Sequence, residues 1–453
     1  MTETPRVDRS ADLERFALKG LHLGKMTGIS VATHAIPDSF LLMHTGVGCK
    51  YKTAAQVGPH DWGSHPNRRE AWTQVGEVQL IKGSAARIAP FARAWWERRR
   101  PNYMVCVSAY FIELTGEDCR DVVDAAAKSV PCDMAMITTA APNGGFYEGY
   151  ASVILDVLKK ADFKNTEVTR PKGVAFCGYL FDRYEPDQQA NLEALDALVK
   201  VAGGDPGPVL FSGRPYAELL TASSCAHLVC FPYMGRLERK VKRTTKRTPI
   251  QADLPIGVAG TVRFVRNVAE AVGGDQEAVE AWVSEHVPKV EAQLNVLRDH
   301  SRNLRIAIFA DTPLAAGLLS LCIELGVHTP IVGLRDKYTG GSRYVYEVLE
   351  RNGLTPFPGT QIIDRPSLRW TRDTVAGAIT RGELDGLIGS SHECNLFTRR
   401  SLHMQKSGVP RYFTLEMGFP SDNHHYTYPV PTLGLEGAAA LAQRILEAHT
   451  RTA

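Results

Sequence analysis

Short apolar runs alternate with helix-length amphipathic stretches from one end of the chain to the other. Runs such as Phe40-Leu41-Leu42-Met43, which follows Ser39, and Ile306-Ala307-Ile308-Phe309-Ala310 are apolar without interruption. That is how strands buried on both faces read, and alternation with helices is the mark of parallel sheets covered by helices. The pattern predicts strands over 39–44, 103–109, 134–139, 173–179, 208–212, 226–231, 305–310, 328–333, 384–389 and 411–416. Helices are predicted over 117–129, 147–160, 187–202, 258–272, 276–300, 313–325, 341–352, 372–382 and 434–448. The expected class is α/β, with three doubly wound, Rossmann-like parallel-sheet domains. Polar connectors near 164–172 and 299–303 put their bounds at 1–170, 171–300 and 301–453.

In open α/β sheets, ligands gather at the carboxyl ends of strands. The first such turn is His44-Thr45-Gly46-Val47-Gly48-Cys49, with one thiol on a segment whose glycines let a bulky partner approach the backbone. Cys49 is therefore either a small hydrophobe or a ligand. Later crossover turns are 138–145, 310–313, 389–393 and 416–420. None matches G-x-G-x-x-G, and no G-x-x-x-x-G-K-[ST] occurs. Nucleotide binding through a standard phosphate loop is not expected. If ATP is used, another polypeptide carries it.

Composition narrows the class. The 453 residues are 44% hydrophobic and 22% charged, as in soluble globular proteins, and exceed one ordinary domain. The net charge of +3 singles out no anionic partner. The basic run Arg236–Arg247 reads as a solvated helix face, with no nucleic-acid motif beside it. No secretory leader or apolar run of about 18 residues occurs, so a cytoplasmic protein without a membrane span is expected. The nine cysteines contain no C-x-x-C pair, which argues against a zinc ribbon or a self-contained ferredoxin-type cluster.

Other chemistry is sparse. There is no G-x-S-x-G elbow and no H-E-x-x-H. His424-His425 beside Asp422 reads as a pair making surface hydrogen bonds, with metal binding or proton transfer as the alternative. Cys106, Cys177 and Cys230 read as buried strand thiols, Cys230 with a ligand role as the alternative. Cys119 and Cys132 have no partner at ligand spacing. His65 is a candidate proton donor near the Cys49 turn.

These landmarks together resemble the nitrogenase component 1 superfamily over nearly the whole chain, and its β-type subunits more than its α-type. His44 to Tyr51 is similar to the H-G-x-x-G-C-x-x-Y turn, whose cysteine binds the electron-relay cluster. Glu113-Leu114-Thr115-Gly116-Glu117-Asp118 resembles E-x-I-G-D-D, and 139–149 resembles the T-P-x-F-x-G-S turn. Asp253-Leu254-Pro255-Ile256-Gly257 with Thr261 resembles P-x-G-x-x-x-T. Asp385 to Gly389, Gly418 to His425 and Pro431 to Gly437 follow the β-type D-L-L-I-G, G-F-P-I-F-D-R-H-H and T-L-G-Y-x-G series in order.

The resemblance implies an α2β2 heterotetramer with an α-type partner. It also implies an iron-sulfur ATPase homodimer that delivers electrons, and an iron-sulfur cluster shared across the subunit contact. Cys49 is then the metal ligand, with Gly48 and Tyr110 as cofactor-binding positions. The second and third cysteines expected of a nitrogenase subunit are missing, since Ala71-Trp72 and Tyr110 stand at those places. One ligand here and three on a partner suit a four-iron cluster better than an eight-iron, P-cluster-like one, unless Cys106 is brought in by a local shift. Any substrate-reducing metallocluster would lie in the partner, and the catalytic residues are not identified. The expected function is the β-type subunit of a nitrogenase-like reductase acting on a small organosulfur compound. The alternatives are a tetrapyrrole reductase subunit and a non-catalytic scaffold for metallocluster assembly.

Overall fold

A computed structural model describes residues 23–58, 69–139, 145–336, 338–397 and 411–451. The architecture is the mixed α/β one that the alternation predicts, carried by three parallel sheets. The first contains β1 (Ser39–His44), β2 (Glu70–Trp72), β3 (Tyr103–Ser108) and β4 (Asp133–Thr138), in the order β2-β1-β3-β4. The second contains β5 (Arg170–Cys177), β6 (Asp205–Val209), β7 (Cys225–Cys230) and β8 (Ile250–Gln251), in the order β6-β5-β7-β8. The third contains β9 (Ile306–Ala310), β10 (Ile331–Leu334), β11 (Gln361–Asp364), β12 (Gly386–Gly389) and β13 (Phe413–Glu416), in the order β11-β10-β9-β12-β13.

Burial explains which strands the pattern reveals. Every residue of β1, β3 and β9 is buried. The inner faces of the three sheets share one core, to which β1 gives Leu41 and Met43, β5 gives Val174 and Phe176, and β9 gives Ile306 and Ile308. The outer face of the first sheet packs separately around Phe40, Leu42, Met104 and Cys106. The strands absent from the sequence reading, β2, β8 and β11, lie at sheet edges and are two to four residues long. They carry polar residues and are too short to print a period.

Among the described residues three helices of ten or more residues also escape the reading: Lys25–His34, Val47–Val57 and Ile88–Arg99. The first is buried at eight of ten positions, so it shows no polar face. It lies directly on the helix Phe146–Lys160, where a Cβ on Gly28 would sit 1.9 Å from the Phe146 oxygen. The helix predicted over 117–129 is shorter, Arg120–Ala127, because Gly116 takes a positive φ of 78° and Glu117 is used in the preceding turn.

Each sheet order contains a reversal: between β1 and β3, between β5 and β7, and between β9 and β12. The crevice outside the carboxyl ends at such a reversal is where open α/β sheets bind ligands.

Candidate functional site

The first reversal carries Cys49. At the end of β1, His44 is fully buried, with Nδ1 2.8 Å from Thr73 Oγ1 and Nε2 3.0 Å from Ser84 Oγ. Burial pulls its imidazole down to about 4, opposed by Glu117 and aided by Arg87, so the ring is neutral at pH 7. Glu117 accepts from Ser84 Oγ at 2.5 Å and from the Ser84 and Ala85 amides at 2.7 and 2.6 Å. Burial works against its charge, but these bonds and His44 hold the carboxyl below its ordinary value. Glu113, the other acid of that motif, accepts from the Ser108 hydroxyl and from the Thr139 amide. Glu113 thus ties the ends of β3 and β4 together, and Glu117 holds the Ser84 that meets His44 at the end of β1.

Backbone bonds align three neighbouring strand ends. Thr73 and Val75 amides donate to Met43 and Thr45, and the Ala109 amide donates to His44, each at 3.0 Å. The segments after β2, β1 and β3 are therefore side by side, and beside them lie the three places where the resemblance expects sulfur ligands: Ala71-Trp72 at the end of β2, Cys49 after β1 and Tyr110 after β3. Of them, Cys49 alone carries sulfur. The expected turn is in fact the first turn of the helix Val47–Val57, which begins after Gly46 without a side-chain cap. Cys49 is half-buried and packs against the outer core of the first sheet.

The two glycines differ. A Cβ on Gly46 would stand 3.0 Å from the Val75 oxygen, whereas one on Gly48 would meet nothing within 4 Å. Tyr110 opens the helix Tyr110–Glu113 with nearly half its surface exposed. Around this edge large apolar side chains stand in water: Val47, Tyr51, Val78, Ile81 and Leu114, with Ile81 85% exposed. Lys50 lies 4.5 Å from the Trp72 ring centroid.

The remaining cysteines are placed differently. Cys106 is fully buried on β3, in register with Leu42, and burial with Cys119 nearby pushes its thiol well up. Its register keeps it two residues inside the strand end, so the shift that would bring it to the edge does not occur. Burial and neighbouring acids push Cys119 and Cys132 up to about 11. Cys132 is only half-buried, but it precedes β4 and lies at the opposite end of the sheet. Cys230 pairs in register with Cys177, and both are buried. Among the described residues no group of three or more His, Cys, Asp or Glu side chains could hold a metal ion. His65 lies outside the described residues.

The second and third reversals face each other across a cavity of about 90 Å³, whose lining includes Tyr179, Arg183, Asp187, Tyr233, Asp311 and Glu416. Arg183 is the hub of an ionic cluster, 2.9 Å from Glu185, 3.0 Å from Asp187 and 3.5 Å from Asp182. Burial raises Asp187 to about 6 despite Arg183, with Asp182 and Glu185 adding to the rise. Asp311, buried and beside Asp336, also rises to about 6 while accepting from the Tyr233 hydroxyl at 2.8 Å.

The C-terminal motifs close this junction. His425 Nδ1 lies 2.5 Å from Glu185 Oε1, and the Tyr426 amide donates to the same carboxyl at 3.0 Å. Asn191 Oδ1 accepts from the Thr432 and Leu433 amides at 2.7 and 3.2 Å. Phe419 stacks on Phe146 with ring centroids 4.6 Å apart. Of the His424-His425 pair, His425 is not confined to surface hydrogen bonds: it reaches a buried acid some 240 residues away in sequence. The Arg183 cluster escapes the sequence reading, although Asp182-Arg183-x-Glu185-Pro186-Asp187 directly after a buried strand is a readable signal.

The matching family model is that of nitrogenase component 1 type oxidoreductases, over residues 25–450. The chain belongs to that family. A solved structure of nitrogenase Cp1 at pH 6.5 superposes with a TM-score of 0.75 at 15% identity, covering 95% of this chain and 92% of the other. Another, of nitrogenase Cp1 at pH 5, gives 0.71 at 14% identity, with 95% and 88% covered. At such identities the likeness concerns the fold. No helix of the described residues is long and apolar enough to cross a membrane.

Proposed function

We propose that this chain is the β-type subunit of a cytoplasmic, nitrogenase-like, ATP-dependent reductase, in which Cys49 supplies one ligand to an iron-sulfur cluster at the contact with an α-type partner. The observation that carries this reading is the placement of Cys49: half-buried, at the open reversal of the first sheet, amid exposed apolar side chains. A monomer gains nothing by leaving such a patch in water, and patches of this kind mark contact surfaces.

The residues fit one corner of a shared cluster. A thiolate is the ordinary ligand of iron-sulfur centres, and the uncapped first turn leaves backbone N–H groups free to face an anionic sulfide. Gly48 leaves open space for its approach. The other three ligands of a four-iron cluster then come from the partner. Once bound, such a cluster takes up and releases single electrons. Cys49 would hold it, Gly48 would give it room, and the ring of Tyr110 would stand where nitrogenase subunits carry another ligand.

A substrate-reducing metallocluster is assigned to the partner. The cavity of about 90 Å³ in this chain is small, and neither cysteine nor histidine lines it. Electrons come from a separate iron-sulfur ATPase homodimer docking on an α2β2 assembly, and the substrate class carried by this reading is a small organosulfur compound.

The test is anaerobic co-purification with the α-type partner, comparing wild type, Cys49→Ala and Ile81→Asp. Wild type is expected to hold about four irons per αβ pair. Cys49→Ala should lose that iron and its paramagnetic signal while the pair still forms. Ile81→Asp should weaken association by at least about tenfold, the usual scale for burying a charge at a contact, and leave the thermal unfolding of the chain unchanged. Full iron retention in Cys49→Ala would overturn the ligand assignment.

A further inference from the structure

The basic run of the sequence acquires a second wall in the fold. The helix Glu238–Thr245 turns Val241 and Thr245 inward and packs beside the end of the helix Phe146–Lys160. Between them lies an open basin of about 500 Å³, ringed by Lys159 and Lys164 on one side and Lys240 and Arg243 on the other. Its floor is apolar, formed by the buried Leu155 and Phe163. None of the four cations has an ion-pair partner among the described residues. The one acid of the lining, Asp162, is already bonded to Asn165 Nδ2 at 2.8 and 3.0 Å.

The floor is fixed in place. The Arg247 guanidinium lies 4.8 Å from the Phe163 ring centroid and donates to the carbonyls of Ser223 and Cys225. Four like charges facing a concavity repel one another at a cost that water only partly screens. The local excess equals the net +3 of the whole chain.

We infer that this basin binds a small molecule carrying two or three linked phosphates and an apolar or aromatic group. The cations converge from two walls across a depression, which suits a compact polyanion better than the ridge a nucleic-acid backbone would follow. The volume falls in the range of about 300–1,000 Å³ of small-molecule pockets, and the floor offers a flat surface to a ring. The site uses no phosphate loop and is independent of the Cys49 reading, since it lies on other elements.

The experiment is calorimetric titration of the full chain with ADP, pyrophosphate, adenosine and a short DNA duplex, in low and in physiological salt. ADP and pyrophosphate should bind, ADP more tightly because of the floor, and adenosine should not. The double variant Lys240→Glu, Arg243→Glu should weaken ADP by at least about tenfold, whereas Arg239→Glu on the same helix should not. Thermal unfolding checks that each variant is folded. Absence of ADP and pyrophosphate binding at low salt would overturn the inference. So would equal weakening by Arg239→Glu, or duplex DNA that binds more tightly than ADP and displaces it.

Discussion

Two places in this chain have the same topological standing and opposite finish. At the reversal of the first sheet the strand ends are braced from beneath by His44, Glu113 and Glu117, while the rim is left apolar and open. At the facing reversals of the second and third sheets, Arg183, Glu185, Asn191 and His425 close the space with the chain's own charges and hydrogen bonds. The fold offers ligand crevices at both. The closed one is filled by bonds within one chain, whereas the open one leaves apolar side chains in water around a half-buried thiol.

The closed junction should be the more fragile to a single substitution. Arg183→Ala would leave Asp182, Glu185 and Asp187 buried without their common cation. Breaking such a group by removing one partner costs about 3–5 kcal/mol. Urea unfolding should show the loss in its midpoint. Tyr51→Asp at the open edge, by contrast, should leave the stability of the chain within about 0.5 kcal/mol. A loss below about 1 kcal/mol for Arg183→Ala would mean that the cluster does not hold the junction.

Acidification should separate the two regions. The imidazole of His44 titrates at about 4 when folded, against an ordinary value of 6.5, so the unfolded chain takes its proton first. Stability at the first sheet is therefore lost as pH falls through that window, on the order of 2 kcal/mol between pH 7 and 5. Glu117, held low, adds a loss of the same sign at still lower pH. Asp187 and Asp311 are raised from 3.8 to about 6, so the folded junction takes up those protons first and gains as pH falls. His392, which burial and Arg335 pull down to about 3, offsets part of that gain. Hydrogen exchange, corrected for intrinsic rates, should show protection of β3 falling more than that of β9 from pH 7 to 5. Equal changes in both would refute the assignment, and His44→Asn should flatten the response of β3.

How much of this was legible follows from the range of the interactions. Buried strands announce themselves because each residue meets apolar neighbours on both faces, as in Phe40-Leu41-Leu42-Met43. Cys49 stands out as a candidate in the sequence because its glycine-flanked setting is local and resembles a family turn. The bond between His425 and Glu185 joins residues some 240 positions apart, and no local period records it. The same is true of the basic basin: Lys240 and Arg243 stand out in the sequence, but Lys159 and Lys164 become their neighbours only through helix packing. Glu113 and Glu117 read only as residues of one family motif, while the bonds of Glu113 tie the ends of β3 and β4 together and those of Glu117 hold Ser84 and Ala85.

The smallest expected effect distinguishes the two glycines of the open edge, and it does so by sign. Gly46 precedes the helix in a tight place, since a Cβ there would press on the Val75 carbonyl oxygen at 3.0 Å. Gly46→Ala should therefore cost about 1 kcal/mol of chain stability, the low end of overpacking. Gly48 lies inside the helix and faces empty space, so Gly48→Ala should stabilise the chain by up to about 1 kcal/mol through helix propensity. If that space belongs to a shared cluster and its partner subunit, the same methyl should lower iron retention in the co-purified pair. Chain stability rising while iron falls would identify Gly48 as a residue kept for the contact. Iron unchanged in Gly48→Ala would make the open space beside it incidental.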